Sequence, residues 1–168
     1  MMVTPAAVFL LLLADPLADA GGKTAVVFFL SAECPISNRY APELRRLHDR
    51  FRGPSVVFYA VYPNAGESET SVRSHVQEFQ IPGKWLRDPD HAIVRKTGVR
   101  VTPEVAVLSP GGRVVYRGRI DDRYAELGKM RPAPTHRDLE DALEAVTSGR
   151  AVPSSSVPAV GCSIQSSR

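Results

Sequence analysis

Continuous apolar runs alternate along the chain with segments in which apolar residues recur at helical spacing. Lys23 to Leu30 (KTAVVFFL) is a run rich in Val and Phe, short enough to be a strand buried on both faces. Ser31-Ala32-Glu33-Cys34-Pro35 follows at once, and Ile36, Tyr40, Leu44, Leu47 and Phe51 then recur at spacings of 4, 4, 3 and 4. This predicts a helix beginning at Cys34, with Pro35 at the first helical position, where a missing N–H costs nothing. Pro42 inside it predicts a kink, and Gly53-Pro54 its end. Ser55 to Tyr62 (SVVFYAVY) reads as a second buried strand, so the two strands and the enclosed helix form a βαβ unit with a parallel pair.

The next block is less strongly patterned. Val72, Val76 and Phe79 suggest a helix over residues 67–80, and a weaker one is expected from about Asp90 to Thr97, before Gly98. Glu104 to Ser109 and Arg113 to Ile120 are strand-like and joined by Pro110-Gly111-Gly112, a hairpin signal. In the last helix Leu139, Ala142, Leu143 and Val146 carry the apolar stripe. Thr135 with Asp138 suggests a capping box and Gly149 the C′ position. Trp85 is expected in the core, and Asp121-Asp122-Arg123 in a solvated turn. From Arg150 the chain turns Pro- and Ser-rich, an extended tail ending in Gly161-Cys162-Ser163-Ile164. The order β-α-β-α-(α)-β-β-α implies an α/β fold of the thioredoxin-like kind, a mixed central sheet with helices on both faces.

Composition narrows the function. At 168 residues, 43% hydrophobic and 23% charged, the chain has the length and balance of one folded domain, which excludes fibrous and disordered classes. The apolar run Ala6 to Ala14 is too short for the ~20 residues of a membrane-spanning helix. It leads to Ala18-Asp19-Ala20, a pattern of small residues like a secretory cleavage site, so residues 1–20 are expected to be a signal peptide and the protein to be exported, periplasmic or extracellular. The expected organisation is then signal peptide 1–20, folded domain 21–149 and tail 150–168. Without the leader, 21 basic residues face 16 acidic ones, a mild excess scattered singly or in pairs, so nucleic acid is not an expected partner. The four histidines show no i, i+4 pairing and neither cysteine has a second ligand beside it, so no metal and no cofactor are expected.

Two cysteines carry the candidate chemistry. Cys34 lies where a strand gives way to a helix amino terminus, whose unpaired N–H groups favour a thiolate, although Glu33 next to it works against one. Cys162 lies 12 residues beyond Arg150, a length that extends roughly 40 Å, whereas a domain of this size has a radius of gyration near 15 Å. The tail can therefore reach Cys34. A Cys34–Cys162 pair would be a resolving step or a static staple, and a free or intermolecularly paired Cys162 is the remaining alternative. Ser37 and Asn38 in the first helical turn are placed to hydrogen-bond the Cys34 sulfur.

The block from Phe28 to Asn38 (FFLSAECPISN), the segment Gly98 to Leu108 (GVRVTPEVAVL) and the Gly111-Gly112 hairpin together resemble the redoxin group of the thioredoxin superfamily. That group includes the alkyl hydroperoxide reductase/thiol-specific antioxidant proteins and the thioredoxin-like reductases of cytochrome c maturation. The resemblance covers roughly residues 23–149. It implies a catalytic Cys34, followed by Pro35, and a cis bond before Pro103, with Thr102 presenting backbone groups to a bound thiol or disulfide. It implies protein or small-molecule thiols and disulfides as partners. Two departures stand out. Cys34-Pro35-Ile36-Ser37 has serine where a dithiol motif has its second cysteine, so Cys162 or an outside thiol must resolve the intermediate. In a peroxiredoxin pattern Ser31 fits the hydroxyl position, but Val27 stands in place of proline, and Arg100, Arg117 and Arg119 are the candidates for the arginine that holds a peroxidatic thiolate. The first expectation is thus a thiol–disulfide oxidoreductase. The alternatives are a thiol peroxidase acting on hydroperoxides and a redox-inactive binding module.

Overall fold

The apolar runs assemble into one sheet. The computed structural model describes residues 16–165. Its elements are β1 (Thr24–Phe29), α1 (Pro35–Phe51), β2 (Val56–Tyr62), α2 (Glu69–Glu78), β3 (Lys84–Arg87), α3 (Ala92–Thr97), β4 (Val101–Thr102), β5 (Glu104–Leu108), β6 (Val114–Gly118), β7 (Tyr124–Glu126), β8 (Lys129–Met130), α4 (Asp138–Thr147), β9 (Ser156–Val157) and β10 (Cys162–Ser163). The main sheet has the order β3-β2-β1-β5-β6-β9. β1 runs parallel to β2 and β2 to β3, β5 is antiparallel to both β1 and β6, and β9 runs parallel to β6.

β1 is buried at every residue because its two faces meet two cores. Val26 and Phe28 face the larger one with Leu44 of α1, Val72 of α2 and Leu139 and Leu143 of α4. Ala25, Val27 and Phe29 face the smaller one with Ile93 of α3 and Leu17. Period-2 side-chain alternation on a sheet covered on both sides is what made the strand read as an unbroken apolar run. The fold is thioredoxin-like, with helices on both faces.

α1 runs from Pro35 through Pro42 to Phe51, as its apolar spacing predicts. Other expectations change. β3 takes the outer place in the three-stranded parallel half although Lys84-Trp85-Leu86-Arg87 carries no strong apolar run, because it lies at the sheet edge, and Trp85 is only half-buried there. The capping box does not form: α4 starts after Arg137, while Thr135 donates its N–H (2.6 Å) and its hydroxyl to the Asp122 carboxylate. Asp121 and Asp122 are buried rather than solvated, Asp121 accepting from the Tyr40 hydroxyl at 2.5 Å. Gly149 does occupy C′, with φ 68° and the paired bonds Gly149 N–H to Val146 O and Arg150 N–H to Ala145 O.

The tail is a strap. β9 adds to the sheet beside β6, Val152, Val157 and Val160 pack on the larger core, and β10 pairs antiparallel with β4. Of the leader expected over residues 1–20, residues 1–15 lie outside the described residues. Leu17 is buried, and Asp19 accepts from Tyr59 and Lys84.

Candidate active site

Cys34 is placed by local sequence on a rigid frame. β1 ends at Phe29, Cys34 donates its N–H to the Ser31 carbonyl at 3.2 Å, and its own carbonyl takes the first helical bond, from Asn38 at 3.1 Å. Its extended backbone, φ −87° and ψ 112°, followed by Pro35 makes it the residue that caps α1. Pro35 is exposed, whereas Cys34 is 2% exposed and Ser37 fully buried.

Across from the helix, the Thr102–Pro103 bond is cis and the Thr102 carbonyl accepts from Cys34 Sγ at 3.2 Å. β10 brings Cys162 opposite Thr102 in the ladder, and the two thiols, both free, line one cleft. Cys34, Cys162 and Ser31 share an open cleft of about 250 Å³ with Asn64 and Glu67. Gln165 closes its rim by donating its N–H to Asn64 Oδ1 at 3.0 Å.

The two sulfurs are electrostatically unlike. Burial opposes a thiolate at Cys34, but the Cys162 thiol, the Ser37 and Ile36 N–H groups and the Ser37 hydroxyl outweigh it and bring its pKa below the ordinary 9.0. Burial, with the hydrogen bond and the charge of Cys34, pushes Cys162 up to about 11. Cys34 is therefore the more acidic thiol of the pair.

Glu67 was not legible as a site residue. It lies in the loop after β2, and nothing in the spacing ties it to Cys34. Its Oε1 accepts from the Ser31 hydroxyl at 2.8 Å and the Ala32 N–H at 2.6 Å, while Oε2 is buried without a partner. Burial raises its pKa, against those hydrogen bonds. Ser31, expected to serve an oxidant, is thus spent on Glu67, though its N–H also donates to Ser37 Oγ at 3.3 Å. Asn38 points elsewhere: its Oδ1 pairs with His75 Nε2 at 2.9 Å, and His75 Nδ1 with the Tyr62 hydroxyl at 2.8 Å, tying α1, α2 and β2 together.

Two of the three arginine candidates have their guanidinium groups engaged away from the cleft: Arg117 donates to the Gly98 carbonyl and Ser156, and Arg119 makes two bonds to Asp138. Arg100 is held through its backbone N–H, which goes to Glu104, and it does not line the cleft. Among the described residues no cluster of His, Cys, Asp or Glu could hold a metal ion, and no helix is long and apolar enough to cross a membrane.

The sequence profile of the AhpC/TSA family matches residues 16–117. A search of curated proteins found none that matches. Among solved structures, an uncharacterised conserved protein of Geobacillus kaustophilus superposes with a TM-score of 0.77 at 27% identity, over 89% of this chain and 80% of that one. A hypothetical protein of Sinorhizobium meliloti gives 0.75 at 27% identity, over 90% and 84%. A secreted disulfide oxidoreductase of Mycobacterium tuberculosis gives 0.52 at 22% identity, over 79% and 85%, a likeness of fold.

Proposed function

The chain belongs to the AhpC/TSA family, and on that premise we propose that it is an exported thiol–disulfide oxidoreductase in which Cys34 is the nucleophile and Cys162 the resolving thiol. The supporting observation is the pairing of a low-pKa sulfur on a helix start with a high-pKa sulfur across one small cleft. The Cys34 thiolate attacks a disulfide R–S–S–R, forming Cys34–S–S–R and releasing RS⁻, which takes up a proton. Cys162, losing its proton, then attacks the Cys34 sulfur and expels the second thiol, leaving Cys34–S–S–Cys162. Two equivalents of thiol reverse the sequence.

Glu67, whose raised pKa brings it nearer neutrality and whose Oε2 is unpartnered, is the proton acceptor and donor for these steps, directly or through a water in the cleft. Thr102, at the cis bond to Pro103, positions Cys34 by accepting from its sulfur through the main-chain carbonyl. Pro35 fixes the helix start, Ser37 supports the Cys34 thiolate, and Ser31 orients Glu67. The peroxidase reading finds no comparable support, because no arginine among the described residues lines the cleft, Arg117 and Arg119 are bound elsewhere, and its hydroxyl serves Glu67. Export rests on the apolar run and small residues of the amino terminus.

The test is stoichiometric. Alkylation and peptide mapping of the purified protein across a titration of redox buffer should show a Cys34–Cys162 disulfide that interconverts with two thiols, and Cys34→Ser should abolish exchange. Two thiols that stay unpaired under oxidising buffer would refute the resolving role. Exchange unaffected by Cys34→Ser would refute the reading as a whole. Mass determination of the protein from an exporting host tests the leader, expected to be removed.

A further inference from the structure

We propose that the carboxy-terminal strap is the internal occupant of a peptide-docking strand edge, and that while seated it restricts Cys34 to low-molecular-weight thiols and disulfides. The proposal rests on Cys34 being the nucleophile. Its own observation is where β10 sits. An extended polypeptide binds a free strand edge through main-chain hydrogen bonds. Here the edge of β4 is already used: Cys162 lies opposite Thr102 and Ser163 opposite Val101, and the Ile164 N–H continues the ladder to the Arg100 carbonyl at 3.2 Å.

The register decides which substrates this excludes. The Thr102 carbonyl receives the Cys34 thiol, so the place on β4 opposite Thr102 is where an incoming peptide would set its own sulfur beside Cys34. Cys162 holds that place. The approach is close enough to require glycine before it, since a Cβ on Gly161 would run into the Thr102 carbonyl oxygen. What remains open is the cleft of about 250 Å³, walled by Ser31, Asn64, Glu67 and Ser163. It admits the end of a small disulfide, but a chain lying along β4 must first displace residues 161–164. Small disulfides can then react and be resolved by a Cys162 that never leaves its seat, whereas a polypeptide both loses affinity to the strap and drives away the thiol that would release it.

The experiment measures the first step alone, in the full chain carrying Cys162→Ser, which keeps the strap and removes the resolving thiol. Two probes share one leaving group, the mixed disulfides of thionitrobenzoate with mercaptoethanol and with a short cysteine-containing peptide, and thionitrobenzoate release is followed by absorbance. The small probe should react faster than the peptide. Adding Gly161→Val to unseat the strap, or ending the chain after Val160, should raise the peptide rate by about tenfold or more, the factor for two or three backbone hydrogen bonds that no longer need breaking. The small-probe rate should stay within about threefold, since its barrier involves no displacement. The point variant keeps the rest of the tail in place should the shortened chain fail to fold. Equal peptide rates with the strap seated and unseated, alongside a fast small-probe reaction, overturn this proposal alone. If neither probe reacts faster than with free cysteine, the nucleophile reading falls and takes this proposal with it.

Discussion

The two walls of the Cys34 cleft are held by opposite means. On the helix wall, Cys34 follows directly from β1, a fully buried strand paired on both sides, and caps a 17-residue helix whose Leu44 and Leu47 are buried. On the strap wall, Cys162 hangs from a two-residue ladder, one Ile164 N–H and one Gln165 N–H, and its side chain is only partly buried. Local opening free energies follow buried contacts and protected hydrogen bonds, so the first wall opens only with the domain while the second opens alone. A nucleophile needs a fixed position and an unchanging electrostatic environment. A resolving thiol needs only to adjust locally to reach the Cys34 sulfur, and the division of the two sulfurs between a rigid and a loosely held element matches that division of labour.

The comparison can be broken most decisively at its rigid side. Cys34→Ser should lower steady-state disulfide exchange by about a thousandfold or more, since the one other described thiol, Cys162, is pushed up to about 11 and is mostly protonated at neutral pH. Cys162→Ser should leave the first step intact but trap Cys34 as a mixed disulfide, visible by mass spectrometry as a stable adduct, with turnover falling by about a hundredfold. Turnover near the original rate would mean that the strap thiol is not the resolving group.

Glu67→Gln sharpens the comparison on the proton side. Exchange should slow by roughly ten- to a hundredfold, with loss of one ionisation from the pH–rate profile. Its effect on stability has a definite sign. Burial raises the Glu67 pKa in the folded state above its unfolded value of 4.5, so the stability this group contributes is present below that value and lost as pH rises. At neutral pH the Gln variant should therefore be as stable as the parent or more so, measured by denaturant midpoint, and an activity loss without a stability loss would separate chemistry from packing.

Smaller effects concern mobility and the frame. Amide hydrogen exchange at Ile164 and Gln165 should be faster than at Val26 and Val27 by about a hundredfold or more, the ratio expected for local against global opening. Equal protection would make the strap part of the rigid core. His75, which joins Asn38 to Tyr62, has its pKa lowered by burial, so the folded state binds its proton less readily than the unfolded chain. Stability should fall as pH drops through the unfolded value of 6.5, and His75→Gln should flatten that dependence in thermal melts.

What the sequence disclosed follows the range of the interactions involved. β1, β2, β5 and β6 were legible because burial on both faces writes an unbroken apolar run. α1 and its start at Cys34 were legible because capping, Pro35 and the apolar stripe are local. β3 was not, since an edge strand needs no such run. The capping role expected of Thr135 failed because Asp122, 13 residues away, offers it a charged acceptor inside the fold. Asp121 and Asp122 looked solvated because the partners that make their burial tolerable, Tyr40, Thr135 and His136, are remote in sequence.

The same division governs the site. By itself the chain determined a thioredoxin-like order of elements, a cysteine at a helix start and a second cysteine on a tail long enough to reach it. Only the tertiary structure decided that the tail lies on β4 with Cys162 opposite Thr102, that Glu67 stands beside Ser31 with one oxygen free, and that Arg117 and Arg119 face away from the cleft. Local signals register the conformational preferences of a few neighbouring residues. A ladder two residues long, or a carboxylate brought in from a distant loop, leaves no periodicity in the sequence, because its position is set by the packing of the sheet and helices between the partners.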